Sequence, residues 1–278
     1  MASQTAPATP LVSKTYQDVD EQAAFNELAE RLAVHLKQPV IPFAIDQPHQ
    51  SLANILGDLL RYGISNIVTL PIFLNSADYH QYAVADTVAH VNRRWPFVEH
   101  HIGSPLDWTA WLRLLQVTVG AAMRLFSHPD SRVSETAFIL VGHSDSHAEA
   151  NGDLAKLARL FSEVQLWATA SFDWTDVAFI SQASPTVSDL ITRYQRLRAW
   201  QIFIAPFLLF PGQAYHQLRA QVDAAQSNGI NHKSNIEIAF CFSTYSSRSS
   251  SDPTPGCSRR SVLIASNHSR TSSPACYQ

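Results

Sequence analysis

Three histidines stand where this chain can do chemistry. His143 lies in Val141-Gly142-His143-Ser144-Asp145-Ser146, directly after an apolar run and before a helical pattern. His80 and His216 each follow an apolar run that ends in a loop, in Tyr79-His80-Gln81 and Tyr215-His216-Gln217. Such positions fall at the carboxyl ends of strands, where open α/β sheets bind their ligands. Gly142 lets the backbone turn sharply beside His143. A neutral imidazole at such an edge binds a divalent metal or accepts a proton. His49, His100, His101, His128 and His147 read as solvated, although His147 shares a loop with His143.

The elements that must position these residues alternate. Apolar runs predict strands at 39–45, 66–74, 97–102, 136–142, 164–168, 177–180, 201–210 and 235–241. Amphipathic runs predict helices at 19–37, 50–62, 80–94, 107–127, 148–161, 186–199 and 215–226. Near-continuous apolar strands such as Ala137-Phe138-Ile139-Leu140-Val141 suit parallel sheets covered on both faces. Alternation of strand and helix then predicts an α/β fold.

The sequence also repeats. Leu11-Val12-Ser13-Lys14, followed by Phe25, Leu28 and Ala29, matches Leu140-Val141-Gly142-His143, followed by Leu154, Leu157 and Ala158. Pro71-Ile72-Phe73-Leu74 matches Pro206-Phe207-Leu208-Leu209, and Tyr79-His80-Gln81 matches Tyr215-His216-Gln217. Recurrence in this order predicts two similar lobes, 11–127 and 135–240, each with a parallel sheet flanked by helices. Residues 1–10 and 241–278 are expected to be disordered. The latter hold twelve serines and too little apolar surface to offset their ordering entropy. The second lobe therefore lacks a counterpart of the helix expected at 107–127.

Composition narrows the partners. The 278 residues are 46% apolar and 15% charged, with a net charge of −3, which argues against nucleic acid and anionic membrane surfaces. Cys241, Cys257 and Cys276 have neither zinc-finger spacing nor the look of a disulfide framework. The polar start, Met1 to Pro10, has no signal-peptide pattern, and no apolar run is long enough to span a membrane. A cytoplasmic protein, monomeric or homodimeric, is expected.

Several motifs together resemble the sirohydrochlorin chelatases, the cobalto- and ferrochelatases of class II chelatase type, over about residues 11–240. Leu140-Val141-Gly142-His143-Ser144 through Glu149-Ala150-Asn151, with the Leu/Ala-rich run from Leu154, is similar to the family's opening motif. Ser181-Gln182-Ala183-Ser184-Pro185-Thr186 resembles its following turn. Ile204-Ala205-Pro206-Phe207-Leu208-Leu209-Phe210-Pro211-Gly212, and Thr69-Leu70-Pro71-Ile72-Phe73-Leu74 to Tyr79-His80 in the first lobe, resemble its strand and loop before the second histidine. The resemblance implies ATP-independent insertion of Co²⁺ or Fe²⁺, as substrate, into sirohydrochlorin, with no organic cofactor. The chain has no G-x-x-x-x-G-K-[ST] phosphate loop, which fits.

By the same resemblance, two histidines and a carboxylate hold the incoming metal and remove pyrrole protons. His143 and His216 match the two histidines in the second lobe, and Ser181 stands at the acid's position. In the first lobe His80 and Asp46 match, and Lys14 replaces the opening histidine. Lys14 and Ser144 become substrate-binding positions, Lys14 toward a carboxylate of the macrocycle. Neither lobe has the full set of two histidines and an acid, so a relative that binds a metal or a tetrapyrrole without turnover is the alternative.

A third reading starts from Gly142-His143-Ser144-Asp145-Ser146, one residue short of the G-x-S-x-G elbow of serine hydrolases. Ser144 would be the nucleophile, His216 the base, and Asp173 or Asp189 the orienting acid.

Overall fold

The apolar runs form two parallel four-stranded sheets. The structure, a computed structural model, describes residues 7–13, 18–45, 51–74, 79–104, 106–126, 135–143, 148–165, 172–227 and 234–238, with the backbone alone for 79–81, 124–126 and 165. All lie within one compact unit, Met1–Ser243. Strands β1 (Thr9–Ser13), β2 (Val40–Ala44), β3 (Asn66–Pro71) and β4 (Glu99–Ile102) take the order β2-β1-β3-β4. Strands β5 (Thr136–Gly142), β6 (Trp174–Phe179), β7 (Gln201–Phe207) and β8 (Asn235–Ile238) take the order β6-β5-β7-β8. The helices are α1 (Val19–Leu36), α2 (Leu52–Arg61), α3 (Tyr79–Arg94), α4 (Trp108–Phe126), α5 (Ala148–Gln165), α6 (Val187–Arg196) and α7 (Gln213–Ser227). The α/β architecture of two similar lobes is thus the one expected.

Strand register carries the repeat into three dimensions. Leu11 and Val12 pair with Leu70 and Pro71, while Leu140 and Val141 pair with Ala205 and Pro206. The residues that match in sequence therefore match in place. Local chemistry starts the helices. Asp18 caps α1 by accepting from the Glu21 N–H at 2.9 Å, and Ser51 caps α2 from Asn54 at 3.2 Å. Thr186 and Asp189 cap α6 reciprocally.

Strand β1 was not among the predicted strands, and it begins at Thr9, inside the segment expected to be disordered. Thr9 and Leu11 are fully buried. Pro10 obscures the pattern, because proline cannot donate to a ladder. Ala8 and Val12 bond to the β3 side, so the missing N–H of Pro10 also falls there, where pairing is interrupted between Ala8–Ile67 and Leu11–Leu70. Pro71 has no such cost. Ile72 donates to Val12, so the nitrogen of Pro71 faces the β4 side, and β4 pairs only as far as Thr69.

The predicted strand at 164–168 is corrected as well: Val164 and Gln165 end α5, and the strand of this region is β6. The expected linker 127–131 and the Ser-rich segment 241–278 lie outside the described residues.

Both faces of the second sheet are closed. Val187, Leu190, Ile191 and Tyr194 of α6, with Leu218 and Val222 of α7, cover one face. α5 covers the other together with α4, which leaves the first lobe and crosses over. The buried stripe of α4 is Trp111, Leu115, Val119 and Ala122, at helical spacing. Each large side chain so buried stabilises by about 1.5–3 kcal/mol. In the first sheet α2 and α3 cover one face around Ile55, Leu56, Val84 and Val88. On the other face the described residues place α1, through Phe25 and Ala29, with Phe210 of the second lobe packed against them. No helix among the described residues is long and apolar enough to cross a membrane.

Candidate functional site

Of the residues singled out by sequence, His143 and His216 follow neighbouring strands of the second sheet. His143 follows β5 directly and is exposed. Its strand end is held from two sides. The Ile180 N–H donates to the Gly142 carbonyl at 3.1 Å, and a Cβ on Gly142 would come within 2.5 Å of Leu154 in α5. The glycine therefore lets α5 approach the strand closely beside the histidine. Strand β7 lies next to β5, pairing Phe207 with Gly142. It leads through Pro211-Gly212 into α7, whose fourth residue is His216. The His216 N–H donates to the Gly212 carbonyl at 2.9 Å.

His216 faces the other lobe. Its Nε2 lies 3.4 Å from Oδ2 of Asp20, in the first turn of α1, and both side chains are exposed. The rest of the loop packs on the same helix. A Cβ on Gly212 would come within 2.2 Å of Glu21 Cγ, and the rings of Phe210 and Phe25 are 5.4 Å apart. The carboxyl edge of the second sheet thus meets the first lobe at the start of α1. Sequence reasoning missed Asp20 and Glu21. Their only local signal is the cap pattern Asp18-x-x-Glu21, which explains a helix start and says nothing of a residue nearly two hundred positions away.

The other candidates divide plainly. His80 is the second residue of α3, after β3, at the place that His216 holds after β7; its side chain is outside the described residues. Lys14 and Asp46 follow Ser13 and Ile45, which are joined by an Ile45 N–H to Ser13 carbonyl bond of 2.9 Å at the carboxyl edge. Lys14, Asp46 and Ser144 themselves lie outside the described residues, as do His49, His128 and His147. Among the described residues no three His, Cys, Asp or Glu side chains come close enough to share a metal ion.

One reading is corrected, that of His100, whereas the nucleophile of the hydrolase reading, Ser144, lies outside the described residues. Asp173 precedes β6 and donates its N–H to Thr136, at the amino edge of the sheet, roughly 20 Å of strand from His143. Asp189 is engaged as the cap of α6, accepting from the N–H and hydroxyl of Thr186 at 3.0 and 2.7 Å, and these bonds hold its pKa below the usual value. His100 is not solvated. Its Nε2 lies 2.8 Å from Thr69 Oγ1, and its Nδ1 is buried without a hydrogen-bond partner among the described residues. Burial, and then the neighbouring His101, lower its pKa from 6.5 to about 4. It stands on β4, away from the carboxyl-edge histidines, as a structural group.

Comparison with known proteins places this geometry. The family model described as CbiX matches residues 11–117 and 137–245, one match to each lobe. A sirohydrochlorin cobaltochelatase of Priestia megaterium is 23% identical over 160 residues, 58% of this chain and 50% of that protein. A sirohydrochlorin ferrochelatase of Bacillus subtilis (strain 168) is 18% identical over 229 residues, 82% of each chain. The chain thus spans only about half the length of the first relative. Among solved structures, SirB from Bacillus subtilis with Fe³⁺ superposes with a TM-score of 0.65 at 16% identity, covering 86% of this chain and 89% of that one. The structure of CbiX, the terminal enzyme for biosynthesis of siroheme in denitrifying bacteria, gives 0.54 at 16% identity, covering 84% and 90%.

Proposed function

Because the chain belongs to the CbiX family of sirohydrochlorin chelatases, we propose that it inserts Co²⁺ or Fe²⁺ into sirohydrochlorin in the cytoplasm, without ATP or an organic cofactor. The reaction exchanges one divalent cation for two protons of the macrocycle, M²⁺ + H₂L → ML + 2H⁺. A base beside the metal path removes those protons, and a weak donor set lets the metal go. In the second lobe His143 and His216 hold the metal and accept protons, with Asp20 orienting His216. His80 and Asp46 serve the first lobe. Lys14 and Ser144 contact the substrate, Lys14 through one of its carboxylates.

The observation that supports this reading is that His143 directly follows β5, while His216, in the first turn of α7, follows the neighbouring strand β7. An anaerobic absorbance assay tests it, with sirohydrochlorin and Co²⁺ or Fe²⁺ and the protein and its His143→Ala variant. Insertion is expected to fall to the uncatalysed rate in the variant. Full activity there defeats the assignment.

A second reading is a relative that binds the metal or the tetrapyrrole without turnover. It draws on Lys14 in place of a histidine, Ser181 in place of an acid, and the absence of a three-donor group among the described residues. A bound-pigment or bound-metal spectrum without acceleration would favour it.

A further inference from the structure

Helix α7, which carries His216, packs on the second lobe through Leu218 and Val222, with Ala214 and Ala225 beside them. Gln221 interrupts this apolar stripe, standing between Leu218 and Ala225 at helical spacing, and it is half-buried. A polar group so placed needs a partner. Its Nε2 donates to the carbonyl of Ile180 at 2.8 Å. Ile180 is 4% exposed and directly follows β6, an edge strand of its sheet. Its own N–H donates to the Gly142 carbonyl at 3.1 Å, and Gly142 directly precedes His143. Two hydrogen bonds thus lead from α7 to the backbone beside His143.

We propose that Gln221 is a positioning residue for metal binding, one that sets the separation of His216 from His143. The proposal rests on the reading of those two histidines as metal ligands. Nitrogen donors sit about 2 Å from a bound divalent cation, so two of them must be held within about 4 Å of each other. His143 is tied to β5 by the chain itself. His216 is reached through the loop after β7, so its place depends on how α7 lies. The apolar stripe holds α7 down without fixing its position along its own axis, because apolar burial is non-directional. The bond to Ile180 is directional and supplies that register. Gln221 stands beyond His216 by about 140° around the helix and about 7.5 Å along it. It therefore grips the second lobe from one side of α7, while His216 points from another side toward Asp20 of the first lobe.

Gln221→Met tests this. Methionine keeps the length of the side chain and suits the apolar stripe, but it cannot donate. Co²⁺ titration of the full chain, followed by visible absorbance, gives the affinity, and circular dichroism reports the fold. The variant is expected to keep the wild-type circular dichroism spectrum and to bind Co²⁺ about tenfold more weakly, the lower end of what losing an outer partner of a metal ligand costs. In a His216→Ala background no ligand is left for Gln221 to position, so the same substitution is expected to change the affinity by less than about twofold. Wild-type affinity in Gln221→Met, alongside a loss in His216→Ala, overturns the positioning role and leaves the histidine reading in place. An equal loss in both backgrounds overturns it too, since Gln221 would then act on the fold and not on His216. Wild-type affinity in His216→Ala removes the histidine reading itself, and the positioning role with it.

Discussion

Gly212 reports on the seam that brings His216 to the first lobe. A Cβ there would lie 2.2 Å from Glu21 Cγ, 2.4 Å from its Oε1 and 2.6 Å from its Cδ. The backbone itself does not demand glycine, since among the described glycines only Gly63 has a positive φ. Without Glu21 in the way, glycine to alanine at such a position stabilises by about 0.4–1 kcal/mol, by restricting the unfolded chain. With Glu21 present, the single flexible side chain must leave its rotamer, at about 0.5–1.5 kcal/mol. Gly212→Ala is therefore expected to be near neutral to slightly destabilising in the natural chain, and stabilising in a Glu21→Ala background. The coupling between the two substitutions should be about 0.5–1.5 kcal/mol, at the lower end of the range for residues in contact. Urea unfolding of the four proteins measures it. Equal effects of Gly212→Ala in both backgrounds would mean that Glu21 does not rest on Gly212, and the seam beside His216 would have to be redrawn.

Three further outcomes follow from the packing and the titrations. Trp111→Ala removes a ring that is 3% exposed and meets Phe207 edge-on at 5.5 Å, so it should cost about 3–5 kcal/mol; a loss under about 1 kcal/mol in denaturant would contradict the crossing of α4 onto the second sheet. Tyr194→Phe removes a hydroxyl that donates to Asp176 at 2.5 Å from a buried ring, for about 1–2 kcal/mol in the same assay; a neutral variant would remove the bond from the account. His100 has a lowered folded pKa of about 4, so the unfolded chain takes up its proton first as pH falls. The stability it gives at neutral pH should decline from about pH 6.5 and level off near pH 4. Solvent screening of this half-buried group keeps the loss to about 1–2 kcal/mol. His100→Gln should flatten that slope, and an unchanged slope would refute the assignment.

Hydrophobic pattern made most of the fold legible. The β5 run Thr136–Gly142 is buried throughout, as its composition implies, and the repeat of Pro71 and Pro206 proved to be a repeat of register. What stayed hidden has local causes. Pro10 masked β1. The apolar residues after Glu163 read as a strand although Val164 and Gln165 finish a helix whose buried stripe includes Leu154, Leu157 and Phe161. Long-range events were harder still. Nothing near Trp108 says that α4 will cover the other lobe, and nothing near Asp20 says that it will meet His216. His100 read as solvated because its partner, Thr69, comes from a neighbouring strand. Of the candidate site, sequence placed His143, His80 and His216 after strands; His143 follows β5 directly, whereas His80 and His216 sit in the first turns of α3 and α7. Their roles rest on the resemblance.

The most direct test is the rate of Co²⁺ or Fe²⁺ insertion into sirohydrochlorin under anaerobic conditions, followed by absorbance with and without the purified chain. A chelatase should accelerate insertion well beyond the uncatalysed reaction, without ATP. A rate that matches the uncatalysed reaction with both metals would contradict the proposed activity.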